Sequence, residues 1–180
     1  MIDLQRRQIL TRPWALAVVA VWAAALGLPG HVAAQISAPD TARASDRLAP
    51  MVLPVAVALQ TELAAALKAG QPLVLMISLD GCPYCKIARE NYLAPLVREH
   101  GLRVVQINMQ HREAVKDLQG RDTTQAQLIA DLKVSVAPTL LFYGRAGLEV
   151  APRLEGMSSL DFYGAYLEQR VQTATQAVKN

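Results

Sequence analysis

Apolar positions along the chain fall into blocks, and the period of each block predicts its conformation. Val55, Leu59, Leu63 and Leu67 share one helical face, and Gly70 with Pro72 supplies a stop, which predicts a helix of about 15 residues from Pro54. Leu73 to Leu79 is apolar throughout except for Ser78, the pattern of a strand buried on both faces. The run ends at Asp80-Gly81-Cys82-Pro83, where Pro83 suits the first position of a helix. Ile87, Ala88 and Asn91 continue that helix. Pro95 predicts a break near Ala94 and a second piece from Pro95 to His100 closed by Gly101. Leu102 to Met109 alternates as another strand, making residues 73–109 a βαβ unit with a right-handed crossover.

The segment 110–123 is polar and turn-rich, with Gln119-Gly120-Arg121-Asp122 at its centre. Thr124 and Gln127 form a capping-box pair ahead of Leu128, Ile129 and Leu132, predicting a short helix. Val134 to Ala137 leads into Pro138. Thr139 to Tyr143 is a strand that turns through a four-residue loop, Gly144 to Gly147, into a second strand near Leu148 to Leu154. Gly156 precedes a last helix, capped by Ser158 or Ser159, with Leu160, Tyr163, Leu167 and Val171 facing inward. The order predicts an α/β fold in which a four-stranded mixed sheet carries helices on both faces, with the first helix an N-terminal addition.

The composition, 52% hydrophobic and 18% charged over 180 residues, excludes a disordered chain. Much of the apolar excess lies in residues 1–34. There Arg6, Arg7 and Arg12 precede an uncharged run from Trp14 to Leu28, broken by Pro29-Gly30 ahead of Ala33 and Ala34. That is the shape of a cleaved secretory signal peptide, too short for a comfortable membrane span of about 18 to 20 residues. An uncleaved anchor is the alternative, and either topology places the rest outside the cytoplasm, in the periplasm. Arg6-Arg7 followed by Ile9 and Leu10 also fits a twin-arginine signal, which leaves the export route open. Residues 35–52 read as a flexible linker and 53–180 as the folded domain. Without the first segment the net charge of +3 falls close to zero, so no nucleic-acid partner is implied.

Both cysteines, Cys82 and Cys85, stay in the folded domain, in a Cys-Pro-Tyr-Cys motif where a buried strand becomes a helix. Free N–H groups and the macrodipole at a helix N-terminus favour a thiolate on the first Cys, and the second, one turn inward, is placed to resolve a mixed disulfide. Lys86 is either a further source of thiolate stabilisation or an ordinary solvated helix residue, and Asp80 opposes the thiolate. Two bland alternatives stand beside this: a purely structural disulfide, and a zinc site completed by His100 and His111, whose spacing fits no usual pattern. No cofactor and no metal are expected.

With these segments in view, the sequence resembles thioredoxin-fold proteins, and most closely the exported thioredoxin-like group that includes SoxW-type proteins and relatives of disulfide isomerase domains. Leu73–Leu79 running into Cys82-Pro83-Tyr84-Cys85-Lys86 is similar to that family's strand and active-site helix. Val134-Ser135-Val136-Ala137-Pro138-Thr139-Leu140-Leu141-Phe142 resembles its cis-proline segment, and Gly156 before the last helix is the third feature. The resemblance implies that Pro138 follows a cis peptide bond and faces Cys82, with the backbone of Ala137 pairing with a substrate strand and Tyr84 beside the thiol. A trans proline opening an edge strand is the alternative. The chain also departs from cytoplasmic thioredoxins. Met76 stands where they carry a buried acid, and Gly81 where they have Trp before the first Cys.

The expected function is a periplasmic thiol–disulfide oxidoreductase, acting as reductase or isomerase on exported proteins with disulfides and recharged by a membrane or periplasmic electron donor. Cys82 is its nucleophile, Cys85 its resolving thiol, and a monomer its expected state. A thioredoxin-fold binding or chaperone module with incidental cysteines, and a net disulfide oxidase, are the rivals.

Overall fold

A computed structural model describes residues 52–180. The proposed signal peptide, and the proposed linker up to residue 51, lie outside the described residues.

The elements are α1 (Leu59–Lys68), β1 (Leu73–Ser78), α2 (Pro83–Ile87), a π-helical turn (Ala88–Leu93), α3 (Ala94–His100), β2 (Arg103–Asn108), β3 (Ala114–Lys116), β4 (Asp122–Thr124), α4 (Gln125–Asp131), β5 (Thr139–Tyr143), β6 (Glu149–Glu155) and α5 (Leu160–Lys179). The main sheet has the order β2-β1-β5-β6. β1 runs parallel to β2 and antiparallel to β5, and β6 is antiparallel to β5, the mixed four-stranded sheet expected. Every residue of β1 is buried, because the strand has a neighbour on each edge and a helical layer on each face. Val74 and Met76 join Leu140, Phe142, Cys85 and the inward side of α5 in one apolar cluster. Leu73, Leu75 and Ile77 join Leu141, Tyr143 and residues of α1 and α4 in the other. The alternation follows from the two-residue period of a strand, and each fully buried aliphatic side chain contributes about 1.5–3 kcal/mol.

Five local expectations are corrected. First, α1 begins at Leu59, not Pro54. Residues 53–58 are extended along the free edge of β2, with Ala56 N–H donating to Gln106 O and Gln106 N–H to Pro54 O, each at 2.9 Å. Pro54, Val55 and Val57 suit that course, since proline is tolerated at an edge and β-branched residues favour extended backbone. Second, Pro95 does not break the helix. The π turn directly before it widens the backbone spacing so that α2 and α3 continue as one rod, which ends at Gly101 with φ 64°. Third, residues 110–123 are not merely turns, since β3 and β4 pair as a small hairpin within and just beyond them. Asp117 organises its loop, accepting from the N–H groups of Gln119 and Arg121, both at 2.9 Å, and from Arg121 Nε at 2.7 Å. Fourth, Ser159 stands at the N-cap position of α5 without a side-chain capping bond, and Leu160 is exposed, whereas Tyr163 and Leu167 are buried as expected. Fifth, the β5–β6 connection spans Gly144 to Leu148, one residue longer than read. The capping bond at α4 is present, Gln127 N–H donating to Thr124 Oγ1 at 3.2 Å.

Candidate active site

The cysteines sit at the carboxyl end of β1, where the chain turns through Gly81 (φ 68°) into α2. Glycine takes that left-handed conformation without strain, and the turn aims the next residue at the helix N-terminus. Cys82 is the N-cap of α2, and its Sγ accepts the Cys85 N–H at 3.1 Å. The two residues are joined by a disulfide. Cys82 is partly exposed, while Cys85 is buried, 1% accessible, in the apolar cluster with Val74, Met76 and Ala88. Burial of one sulfur and access to the other is the asymmetry that an attacking and a resolving thiol require.

The Ala137–Pro138 peptide bond is cis, and the Ala137 carbonyl oxygen lies 3.9 Å from Cys82 Sγ. Gly156 N–H donates to Pro138 O at 2.8 Å, so the loop ahead of α5 is tied to the same corner. Two segments far apart in the chain thus meet at one sulfur, and a third braces the proline loop. Tyr84 and Val136 are exposed beside it, at 49% and 41%. Lys86 is also exposed, its N–H donating to Cys82 O at 3.2 Å.

A cleft of about 450 Å³ opens along Cys82, lined among others by Ser78, Lys86, Arg89, Gln106 and His111. Asp80 at its rim accepts from Asn108 Nδ2 at 2.6 Å and pairs with His111 Nε2 at 3.0 Å, and His111 Nδ1 lies 3.5 Å from Glu113. His111 is therefore a member of this network rather than an isolated surface residue. His100 lines a different cleft, between α3 and α5, so the two Cys and two His of a zinc site are not assembled. Among the described residues no cluster of three or more His, Cys, Asp or Glu side chains forms a metal site. Sequence reasoning missed Arg89 and Gln106. Arg89, four residues beyond Cys85 on the same helical face, was open to detection by spacing. Gln106 enters only through strand register, opposite Met76.

The sheet order, the helix following β1 and the disulfide at its mouth define a thioredoxin fold carrying a redox-type Cys-x-x-Cys site. The sequence pattern of the family described as a thioredoxin-like domain matches residues 59–170, and the chain belongs to that family. No curated protein matches it. Among solved structures, a thioredoxin from Thermus thermophilus is similar over 72% of this chain and 95% of its own, at 22% identity and a TM-score of 0.49. Trxlp from Edwardsiella tarda EIB202 is similar over 65% of this chain and 98% of its own, at 28% identity and a TM-score of 0.44. The periplasmic thioredoxin SoxS from Paracoccus pantotrophus is similar over 58% and 99%, at 18% identity and a TM-score of 0.40.

Proposed function

We propose that the protein is a thiol–disulfide oxidoreductase working in the periplasm, reducing or isomerising disulfides of exported proteins. The observation that carries the reading is the unequal pair of sulfurs, Cys82 partly exposed at a helix N-terminus and Cys85 buried behind it. In the reduced form the Cys82 thiolate attacks a substrate disulfide, forming a mixed disulfide and expelling one substrate thiolate. Cys85, deprotonated, then attacks Cys82 Sγ, expels the second substrate thiolate and closes the Cys82–Cys85 disulfide. Two electrons pass to the substrate, whose two thiolates take up the protons given by the dithiol. A membrane or periplasmic electron donor restores the dithiol.

An extended substrate strand would run past Ala137, whose carbonyl lies beside the attacking sulfur, with Tyr84 offering an exposed ring and Pro138 lacking an N–H that competes for the strand's acceptors. Lys86, at the first helical turn, adds positive charge near the thiolate. Export is supported by the basic start, the apolar run and the small residues at Ala33 and Ala34. Among the described residues no helix is long and apolar enough to cross a membrane. The reductive direction is supported by the small size of the domain, which carries no large helical insertion.

Insulin-disulfide reduction by the purified chain tests the reading. Cys82→Ser abolishes it, and Cys85→Ser accumulates mixed disulfides linked through position 82. A wild-type chain without turnover refutes the enzyme. A couple equilibrating with glutathione near −120 mV, about the value of a strong oxidant, refutes the reductive direction.

A further inference from the structure

The cleft beside Cys82 carries a charge that the exchange steps above do not use. Arg89 follows Cys85 by one turn and lines that cleft with Cys82 and Lys86. Its Nη2 donates to Ser78 Oγ at 3.3 Å. Its Nε is sealed from solvent without a hydrogen-bond partner, and among the described residues it forms no ion pair. The Oε1 atom of Gln106, in the same cleft, is likewise sealed and unpaired. Neither atom is open to a ligand entering from solvent, so the arrangement is poor as a binding site and good as a source of field.

The remaining titratable groups of the cleft are Lys86, His111, Asp80 and Glu90. Asp80 is already engaged by Asn108 and His111. On the interior side, Cys85 packs in an apolar cluster with Met76, and the one acid buried among the described residues is Asp117, in the loop between β3 and β4. A guanidinium remains charged at all accessible pH values. Partly buried, it is screened less than an ammonium in free solution.

The geometry points to Arg89 as a positioning residue that sets the redox poise of the pair, its guanidinium serving as countercharge to the Cys82 thiolate once the disulfide opens. Stabilising the thiolate stabilises the reduced form, which makes the couple more oxidising than an uncharged cleft would. The inference deepens the exchange reading and rests on it, yet one of its two readouts needs no substrate.

The test uses the full chain with Arg89→Met, Arg89→Gln and Arg89→Lys. Each is equilibrated against glutathione, and the reduced form of each is alkylated with iodoacetamide across a pH series. Met and Gln, which remove the charge, are expected to shift the equilibrium about tenfold toward the disulfide, equal to about 30 mV more negative, and to move the alkylation midpoint of Cys82 to higher pH. Lys, which restores the charge, returns both toward wild type. Gln, which retains a donor for Ser78, separates charge from hydrogen bonding. Wild-type values for both Met and Gln overturn the inference, as does a Lys variant indistinguishable from Met. A wild-type chain that fails to reduce insulin while these midpoints still shift refutes the exchange reading and leaves the role of Arg89 standing.

Discussion

Cys82 and Cys85 present the same atom to two environments, and three residues of chain are enough to separate them because one helical turn carries the second sulfur under the first. The spacing and the strand-to-helix position were legible in the sequence. The burial of Cys85 was not, since it depends on Val74, Met76 and Phe142 arriving from two strands. Gly81 is the residue on which the aim of Cys82 depends. A Cβ there meets nothing within 4 Å, so Gly81→Ala tests backbone conformation alone. It is expected to cost about 1–2 kcal/mol in urea denaturation, the penalty of a left-handed conformation for a residue with a Cβ. Asp117 is a second such position, unmarked in the sequence because its partners form only when the loop closes. Burial pushes its carboxyl up, but hydrogen bonds from the backbone and side chain of Arg121, and from the backbone of Gln119, outweigh that and hold it below the usual carboxylate range. Its contribution is therefore fully present above the unfolded value of about 3.9 and is lost as pH falls through the lower folded value. Asp117→Asn is expected to lower stability at pH 7 by about 1–3 kcal/mol, and the gap to wild type should narrow in the same measurement as pH falls through the lowered folded value.

At the scale of elements, the extended segment before α1 shows where helical periodicity misleads. Val55 and Leu59 fit a helical face, yet Gln106 offers a free backbone donor and acceptor at the sheet edge, and residues 54–56 satisfy both. An unpaired edge is costly and aggregation-prone, so pairing prevails over a marginal extra turn. Leu53 anchors the segment in the core at 0% exposure. Leu53→Ala is expected to destabilise the fold by about 2–5 kcal/mol by chemical denaturation, although it lies outside the family match at 59–170. A surface loop would lose almost nothing. The π turn ahead of Pro95 makes the same point in reverse, a proline that reads as a stop but is absorbed because Tyr92 and Leu93 hold the rod against the sheet and α5. Tyr92 Oη donates to Leu160 O at 2.8 Å, and its ring packs tilted by 59° against Tyr163, with centroids 5.0 Å apart.

At the scale of the whole molecule, each face of the sheet buries one large tyrosine. Tyr143 lies in the cluster with α1 and α4, and Tyr163 in the cluster with α2 and α5. Both hydroxyls are buried without partners. Burial, reinforced by Glu149 for Tyr143 and by Tyr92 for Tyr163, raises both phenols well above their ordinary value. Their neutral forms contribute stability that is fully present below about pH 10 and falls away as pH rises through the raised values. The Tyr143→Phe, Tyr163→Phe double variant is expected to match or slightly exceed wild type at pH 7 and to resist unfolding better above pH 10, followed by circular dichroism. The local pattern of this chain was sufficient for the class of fold, the βαβ unit, the hairpin and the Cys-Pro-Tyr-Cys motif, because strand runs, caps and turn residues act over a few neighbours. Only the folded chain decided which sulfur meets solvent, that Ala137 stands against Cys82 from 55 residues away, and that Arg89 lines a cleft with Cys82 and forms no ion pair among the described residues. Those relations are distances between segments set by sheet order and packing, which no local period encodes.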